Sequence, residues 1–482
     1  MPYLYALSIK GIQNFIFRTN QLREIIGASE LIEQSCTSMF KSWYKKLTNS
    51  DLNDKDILLA AAGNVRCLFH DHEQLHNFSN GIINEINKFS PGLNAIQAFV
   101  QLQSHAITNL DIEKLEESLR DIRHEMTISS YSGLMVGIRA RRTSLPAISK
   151  LGEEYIDADT KTKLDLKEGQ SMKNKLKVGD LEDPWPKELN DIARDDMRNW
   201  IAIVHADGNG MGQKIINMMK NLKGDVTSIW QDFTSKIDQC CIEAFEIAAS
   251  EAFEIHKNDP KAEQKIIPMR PVIIGGDDMT VIIRADLALS FVRTYLINFE
   301  LKTKERLAKI DISFKDGLTA CAGIAFIKQK FPFHYGVHLA EELCKHAKRK
   351  NRENKESRSS LMFSQVQDSF YQNYDELRER EYKINDFDFE HGPYYVSGHN
   401  TIDELIHTSI ELTKKGAPKN ALRKWLKDVH ENSDFASSRI DRLKTTHSEL
   451  YVSLDLENNT RIGIVSPIQD WVTIASLNST SR

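Results

Sequence analysis

Two β-branched runs, Val272-Ile273-Ile274 and Val281-Ile282-Ile283, flank the tetrad Gly275-Gly276-Asp277-Asp278. Apolar runs of that length parted by a glycine-rich step predict a strand hairpin with two carboxylates at its tip. A further strand is predicted at residues 200–206, helices from there to about residue 256, a helix near 285–306, and a closing strand at 317–326. The first third of the chain shows the same succession. A strand at residues 3–10 is followed by a helix from Leu22 to Leu47, which carries Leu31, Ile32, Met39, Phe40 and Trp43 at helical spacing. Residues 57–69 predict a hairpin turning at Gly63-Asn64, followed by a helix around 73–89 and a strand at 94–102. A β-α-β-β-α-β order that occurs twice predicts an α+β chain of two tandem ferredoxin-like units.

Residues 151–190 are rich in Lys, Asp, Glu and Gly and read as an exposed connector ending in Asp183-Pro184-Trp185-Pro186. From about residue 395 the spacing of Ile402, Leu405, Ile406, Ile410, Leu412, Leu422, Trp425 and Leu426 is helical. The expected domains are therefore 1–150, a linker at 151–195, a second ferredoxin-like unit at 196–394 and a C-terminal helical domain at 395–482. A length of 482 residues agrees with several domains.

A net charge of −5 gives no global basic field, so any nucleic-acid contact has to come from a local patch or a partner. The six cysteines lack a C-x-x-C pair and several sit in apolar runs, which predicts reduced core thiols rather than disulfides or a zinc site. With neither a cleavable leader nor about eighteen consecutive apolar residues, the expectation is a cytoplasmic protein without a membrane partner.

Chemistry concentrates at the hairpin. A two-metal phosphoryl-transfer site needs carboxylates from separate strands converging on ions about 3.5–4 Å apart. Asp207 ends the predicted strand that neighbours the hairpin in a ferredoxin-like sheet, so it can meet Asp277 and Asp278. These three acids are the candidate catalytic and metal-binding residues, for two Mg²⁺ or Mn²⁺ ions. Gly208, Asn209 and Gly210, with Gly275 and Gly276, leave the backbone bare where phosphate oxygens must approach. Lys348 and Arg352, at i and i+4 on one helical face, are candidate triphosphate ligands, or else a solvated basic helix end. The tetrad read alone fits a tight turn with solvated acids; the β-branched runs on both flanks, the third acid after a strand and the same arrangement earlier in the chain favour the catalytic reading. His70-Asp71-His72 reads as a surface loop more readily than as a phosphohydrolase metal site.

With those residues in hand, the chain resembles the large palm subunit of type III CRISPR effector complexes, the GGDD family that makes cyclic oligoadenylates from ATP. The resemblance is carried by residues 9–17 and 22–31, by Ala206-Asp207-Gly208-Asn209-Gly210-Met211-Gly212, by Ile274-Gly275-Gly276-Asp277-Asp278, by Pro332-Phe333 and by the helix around Ala347-Lys348. It spans roughly residues 1–365. It implies two tandem palm domains, the first degenerate, and a nucleotidyltransferase that converts ATP into a cyclic oligoadenylate or cyclic dinucleotide messenger for antiviral defence. The partners it implies are a small CRISPR-type subunit, guide or target RNA, a downstream effector and a second copy in a homo-oligomer. The alternatives are a non-catalytic scaffold subunit and a GTP-using enzyme like a diguanylate cyclase. The family's His-Asp nuclease domain and inter-palm zinc cysteines have no counterpart, Arg141-Arg142-Thr143-Ser144 standing where the latter would lie, so DNA cleavage is not expected. Matching strand ends puts Lys10-Gly11 opposite Asp207-Gly208 and Asn64 near Asp277, so the first palm is expected to bind no catalytic metal. Gly27-Ala28-Ser29 is expected to be a turn touching phosphate or base, or else a helix-packing site.

Overall fold

The structure is a computed structural model. It describes residues 1–104, 106–123, 137–180, 183–193, 199–221, 224–259, 266–367, 373–431 and 433–478. The expected boundary at residues 195 and 196 lies outside the described residues. The N-terminal pattern gives β1 (Tyr3–Lys10), α1 (Ile12–Ile16), α2 (Leu22–Cys36), α3 (Ser38–Thr48), β2 (Ile57–Ala61), β3 (Asn64–Phe69), α4 (His72–Phe89), β4 (Asn94–Gln101) and α5 (Asn109–Arg123). The four strands form an antiparallel sheet in the order β2-β3-β1-β4, the ferredoxin-like arrangement.

Two local expectations are corrected. The helix expected from Leu22 to Leu47 is two helices, because Thr37 leaves helical geometry (φ −116°, ψ −99°). Its hydroxyl donates to the Glu33 carbonyl at 2.7 Å, a local bond that competes with the helix ladder. The first hairpin turns at Ala62-Gly63, with φ of +48° and +78°, rather than at Gly63-Asn64. Positive φ at both central residues suits a two-residue hairpin. Asn64 is thereby left to open β3, where its side chain accepts from the Ser8 hydroxyl at 2.8 Å.

In its described residues the polar segment at 151–190 is not the expected exposed connector. From Ala147 the chain folds into β5 (Ala147–Leu151), β6 (Glu154–Asp157), α6 (Ala158–Asp165) and α7 (Gln170–Lys175), and α6 packs on α2. A Cβ at Gly27 would fall 1.8 Å from the Lys163 carbonyl oxygen, so glycine is what lets the two backbones touch. Gly27-Ala28-Ser29 is therefore a packing site inside α2, and not a turn. Lys163 is buried because its ammonium donates to the Phe15 carbonyl (2.8 Å) and to Asp159 (3.0 Å), above the Phe15 ring.

The second unit runs β7 (Trp200–Gly208), α8 (Met211–Asn221), α9 (Thr227–Lys257), β8 (Met269–Gly275), β9 (Asp278–Arg284), α10 (Ala288–Leu307), β10 (Ala320–Lys328) and α11 (Phe333–Glu353). It continues through β11 (Ser360–Gln365), α12 (Tyr374–Glu381), β12 (Lys383–Ile384), β13 (Phe387–Asp388) and β14 (Tyr394–Tyr395). The large sheet has the order β14-β11-β10-β7-β9-β8, with β10 and β11 parallel. Its β10-β7-β9-β8 part repeats the first sheet, and the two outer strands are additions the sequence pattern did not reveal. Among the described residues beyond β14 the helices are α13 (Ile402–Glu411), α14 (Lys419–Glu431), α15 (Ser433–Thr446), α16 (Ser448–Ser453), α17 (Leu456–Asn459) and α18 (Ile468–Asn478). Thr401 and Glu404 form a capping box at the start of α13. The chain is thus α+β with two ferredoxin-like units and a helical C-terminal region.

Alternation along the strands ties the two units into common layers. Tyr5, Leu7 and Ile9 of β1 share one core with Ile201 and Ile203 of β7, while Leu4 and Ala6 share the other with Ala202, Val204 and Ala206. All six cysteines are buried and free. Among the described residues no helix is long and apolar enough to cross a membrane.

One buried charge network fastens α11 to α12 and to the loop before β14. Glu390 is 6% exposed and meets His346 (2.9 Å) and Lys350 (3.1 Å) of α11, Arg378 (2.8 Å) of α12 and the Tyr374 hydroxyl (3.0 Å). Burial alone pushes its carboxyl up, but His346 and Lys350 outweigh that and hold it down at about 2 against an ordinary 4.5. A depressed carboxylate stabilises the fold above pH 4.5, and that contribution is lost as pH falls toward 2. Glu390→Gln is expected to cost about 3–5 kcal/mol at neutral pH. Urea unfolding should also show a shallower loss of stability than wild type below pH 4.5.

Candidate active site

The antiparallel register of β7 and β9 sets Ala206 opposite Met279, which brings Asp207 beside Asp278 at the strand ends. Side chains alternate, so Asp207 and His205 on β7 share a sheet face with Asp278 and Thr280 on β9. Gly275 pairs with Asp278, leaving Gly276 and Asp277 as the two turn residues. Gly276 has φ +62°, a left-handed value that favours glycine. One carboxylate oxygen from each of Asp207, Asp277 and Asp278 lies within 4.8 Å of the other two. Among the described residues no other set of three His, Cys, Asp or Glu side chains converges in this way.

Such crowding has an electrostatic consequence. Enclosure of the tip first, and then the charges of the neighbouring carboxylates, push Asp277 and Asp278 up from the ordinary carboxylate range. Lys348 on α11 offsets part of the repulsion: its ammonium donates to the Asp207 carboxylate and, at 2.7 Å, to the Gly208 carbonyl. Beneath the acids, His205 Nδ1 meets the Thr280 hydroxyl at 3.1 Å. Burial pushes this imidazole down to about 4, so the floor of the site is neutral at physiological pH.

The glycines and Asn209 divide by what surrounds them. A Cβ at Gly208 would sit 2.8 Å from Asp277 Oδ2, so the missing side chain is what lets Asp277 lie across the end of β7. Around Gly210, whose φ is +65°, and around Gly276 a Cβ would meet nothing within 4 Å, and both stretches of backbone are open to a ligand. Gly275 instead faces the first unit, a Cβ there lying 3.2 Å from Ala62 Cβ. Asn209 holds the loop before β10, its amide N–H donating to the Thr319 carbonyl (2.7 Å) and its side chain to the Thr319 hydroxyl (3.1 Å). Arg352 is exposed one turn beyond Lys348, with its Nε on the Lys348 carbonyl at 3.3 Å and no contact to the acids.

Sequence reasoning missed the support behind the turn. Asp238 on α9 accepts from the Gly276 N–H at 3.3 Å and pairs with Lys175 of α7 at 3.4 Å, while Lys175 also donates to the Ile274 carbonyl at 3.1 Å. Asp238 is one polar position on a long amphipathic helix and Lys175 one of many lysines in a polar stretch, so neither carries a sequence signal. Ser29 of α2 donates to the Val272 carbonyl, which adds a direct tie from the first unit to β8.

In the first unit the register corrects the expected correspondence. Ser8 pairs with Asn64 and Asn64 with Ala61, as Asp207 stands beside Asp278 and Asp278 pairs with Gly275. Ser8, rather than Lys10, thus stands where the second unit has Asp207, and Asn64 stands where it has Asp278 rather than Asp277; the two bond to each other. His70-Asp71-His72 is dispersed: Asp71 caps α4 by accepting from the Gln74 N–H (3.0 Å), His70 bonds Asp56 (3.0 Å), and His72 lies against Tyr3.

Residues 200–357 match the family described as Cas10/Cmr2, second palm domain. No curated protein matches the chain. Among solved structures, a Csm1-Csm4 cassette in complex with pppApApA superposes with a TM-score of 0.56 at 11% identity, covering 99% of this chain and 69% of that one. A Csm1-Csm4 cassette in complex with cA3 gives 0.55 at 12% identity, again covering 99% and 69%. Csm1 of T. onnurineus gives 0.52 at 12% identity with the same coverage. At these identities the likeness is one of fold.

Proposed function

We propose, on the premise that residues 200–357 are a second palm domain of the Cas10/Cmr2 family, that the chain is a metal-dependent nucleotidyltransferase. It would convert ATP into a cyclic oligoadenylate or cyclic dinucleotide and release pyrophosphate. The observation that carries this reading is the convergence of Asp207, Asp277 and Asp278 from two strands and their turn, with the Lys348 ammonium among them. Three hard-oxygen carboxylates plus the Gly208 carbonyl are the donor set that Mg²⁺ or Mn²⁺ takes, and an ammonium already rests against two of those oxygens. When bound, a pair of such ions lowers the pKa of an attacking ribose hydroxyl and stabilises charge on the α-phosphate.

The remaining work falls to the chain. Asp207 and Asp278 share the strand face on which the reacting nucleotide would lie, with Asp277 held over Gly208 as the third acid. The bare backbone at Gly210 and Gly276 admits phosphate oxygens, and Lys348 with Arg352 supplies positive charge for the β and γ phosphates. Ser8 and Asn64 leave the first unit a neutral tip, suited to positioning the acceptor nucleotide without a metal. Asp238 and Lys175 keep the acid-bearing turn in place. Asp238→Ala is expected to lower turnover about tenfold through a looser turn, with the ATP KM and the melting temperature little changed in steady-state and thermal-unfolding measurements.

The matched cassettes pair Csm1 with Csm4 and contain adenine nucleotides. By that likeness a Csm4-like subunit is the first partner to test, and adenine the first base. Pyrophosphate release from ATP, measured against an excess of each other nucleoside triphosphate, tests the base: GTP turnover in preference to ATP would move the assignment to a diguanylate-cyclase-like enzyme.

A further inference from the structure

We infer that Lys348 competes with a divalent cation for the same oxygens, so that metal and nucleotide binding to this site are linked. The inference rests on reading the three acids as the metal site. The Lys348 ammonium touches one carboxylate, Asp207, and one main-chain carbonyl, Gly208, at 2.7 Å. A carboxylate and a carbonyl oxygen held side by side are hard donors suited to Mg²⁺ or Mn²⁺. A cation cannot take both while the ammonium holds them.

The geometry lets the ammonium leave while its helix stays. Helix α11 is fixed against β10 by close backbone packing: a Cβ added at Gly323 would fall 1.9 Å from the Ala340 oxygen. On the far side Glu390 grips His346 and Lys350, the residues two before and two after Lys348. What can move is the lysine stem, whose four carbons carry a compact, rotatable charge. Lys345 and Arg352, both exposed, lie at i−3 and i+4 from Lys348 on the same helical face. A triphosphate lying along that row offers Lys348 a stronger anion than a single carboxylate. Drawn to the phosphates, Lys348 releases Asp207 and the Gly208 carbonyl to a metal. By reciprocity, metal strengthens nucleotide binding by the factor by which nucleotide strengthens metal binding.

The test measures Mn²⁺ binding to the full chain by electron paramagnetic resonance of the free ion, with and without α,β-methylene-ATP, which cannot release pyrophosphate. Wild type, Lys348→Met, Lys348→Gln and the double variant Asp207→Asn/Asp278→Asn are compared after confirming that each unfolds cooperatively. Without nucleotide, both lysine variants are expected to bind Mn²⁺ about tenfold tighter than wild type. The analogue should tighten Mn²⁺ binding to wild type and do so much less for the lysine variants. Unchanged or weaker Mn²⁺ binding by both lysine variants, with binding lost in the double variant, overturns the competition and leaves the acid site standing. Binding by the double variant equal to wild type overturns the metal-site reading itself.

Discussion

Asp278→Ala, and equally Asp207→Ala, should cut nucleotide turnover by at least about a thousandfold, some 4 kcal/mol of transition-state stabilisation, without lowering the melting temperature. Loss of activity is expected because these two acids share a strand face at the mouth of the sheet and no fourth acid converges there to replace either, among the described residues. Enclosure raises both acids, with the Asp207 charge adding to it at Asp277 and the Asp277 and Asp207 charges at Asp278; Asp278 keeps an exposed edge where water screens the repulsion, so the fold bears a small cost for ionising them. Removing Asp278 relieves that repulsion, and the side chain lost is an exposed one that fills no core. Removing Asp207 leaves Lys348 without its carboxylate partner, so any gain should be smaller there. Pyrophosphate release and thermal unfolding of the same preparations check both halves. Undiminished product from Asp278→Ala would remove that residue from the metal site.

Gly323→Ala is expected to have the second largest effect, and through packing. An added Cβ would lie 1.9 Å from the Ala340 carbonyl oxygen and 2.7 Å from the Cys344 nitrogen, both backbone atoms of α11. Backbone cannot yield as a flexible side chain does, so the helix has to lift away from β10, at a cost of about 3 kcal/mol or more. Lys348 travels with α11, and the Asp207 and Gly208 contacts go with it, so activity should fall together with stability. Gly336→Ala on the same helix is a graded control. Its Cβ would press on side-chain atoms of Ile203 and Ile327 at 2.8–3.0 Å, contacts that repacking can relieve at about 1 kcal/mol. Urea midpoints of the two variants should rank accordingly; equal midpoints would mean that α11 is not closely seated on β10.

The acid site was legible in the sequence because its parts obey local rules. Continuous β-branched runs marked β8 and β9, the tetrad marked a tight turn, and the neighbouring of first and third strands in a β-α-β-β-α-β unit brought in Asp207. Expectations failed where tertiary contact outweighs composition. The lysine-rich segment after residue 151 reads as solvated, yet Lys163 is buried, because Asp159, the Phe15 carbonyl and the Phe15 ring satisfy its charge. The break at Thr37 depends on one hydroxyl reaching back to Glu33, which helical spacing does not register. The correspondence between the two units slipped because Ala62 adopts a left-handed φ that sequence would assign to the next two residues, Gly63 and Asn64. Asp238 and Lys175 come from separate helices and meet only at the back of the turn, a contact no spacing rule reaches. Gly275 reads as a phosphate-facing glycine and is instead where the first unit's hairpin approaches.

The most direct test of the central claim is product analysis. The purified full chain is incubated with Mg²⁺ or Mn²⁺ and each ribonucleoside triphosphate, alone and with a Csm4-like partner and RNA, beside an Asp277→Ala/Asp278→Ala control, and products are identified by mass spectrometry. The account predicts cyclic adenylates and pyrophosphate from ATP with the wild-type chain and none with the control. Identical product profiles from the two proteins with every nucleotide and every addition would contradict it.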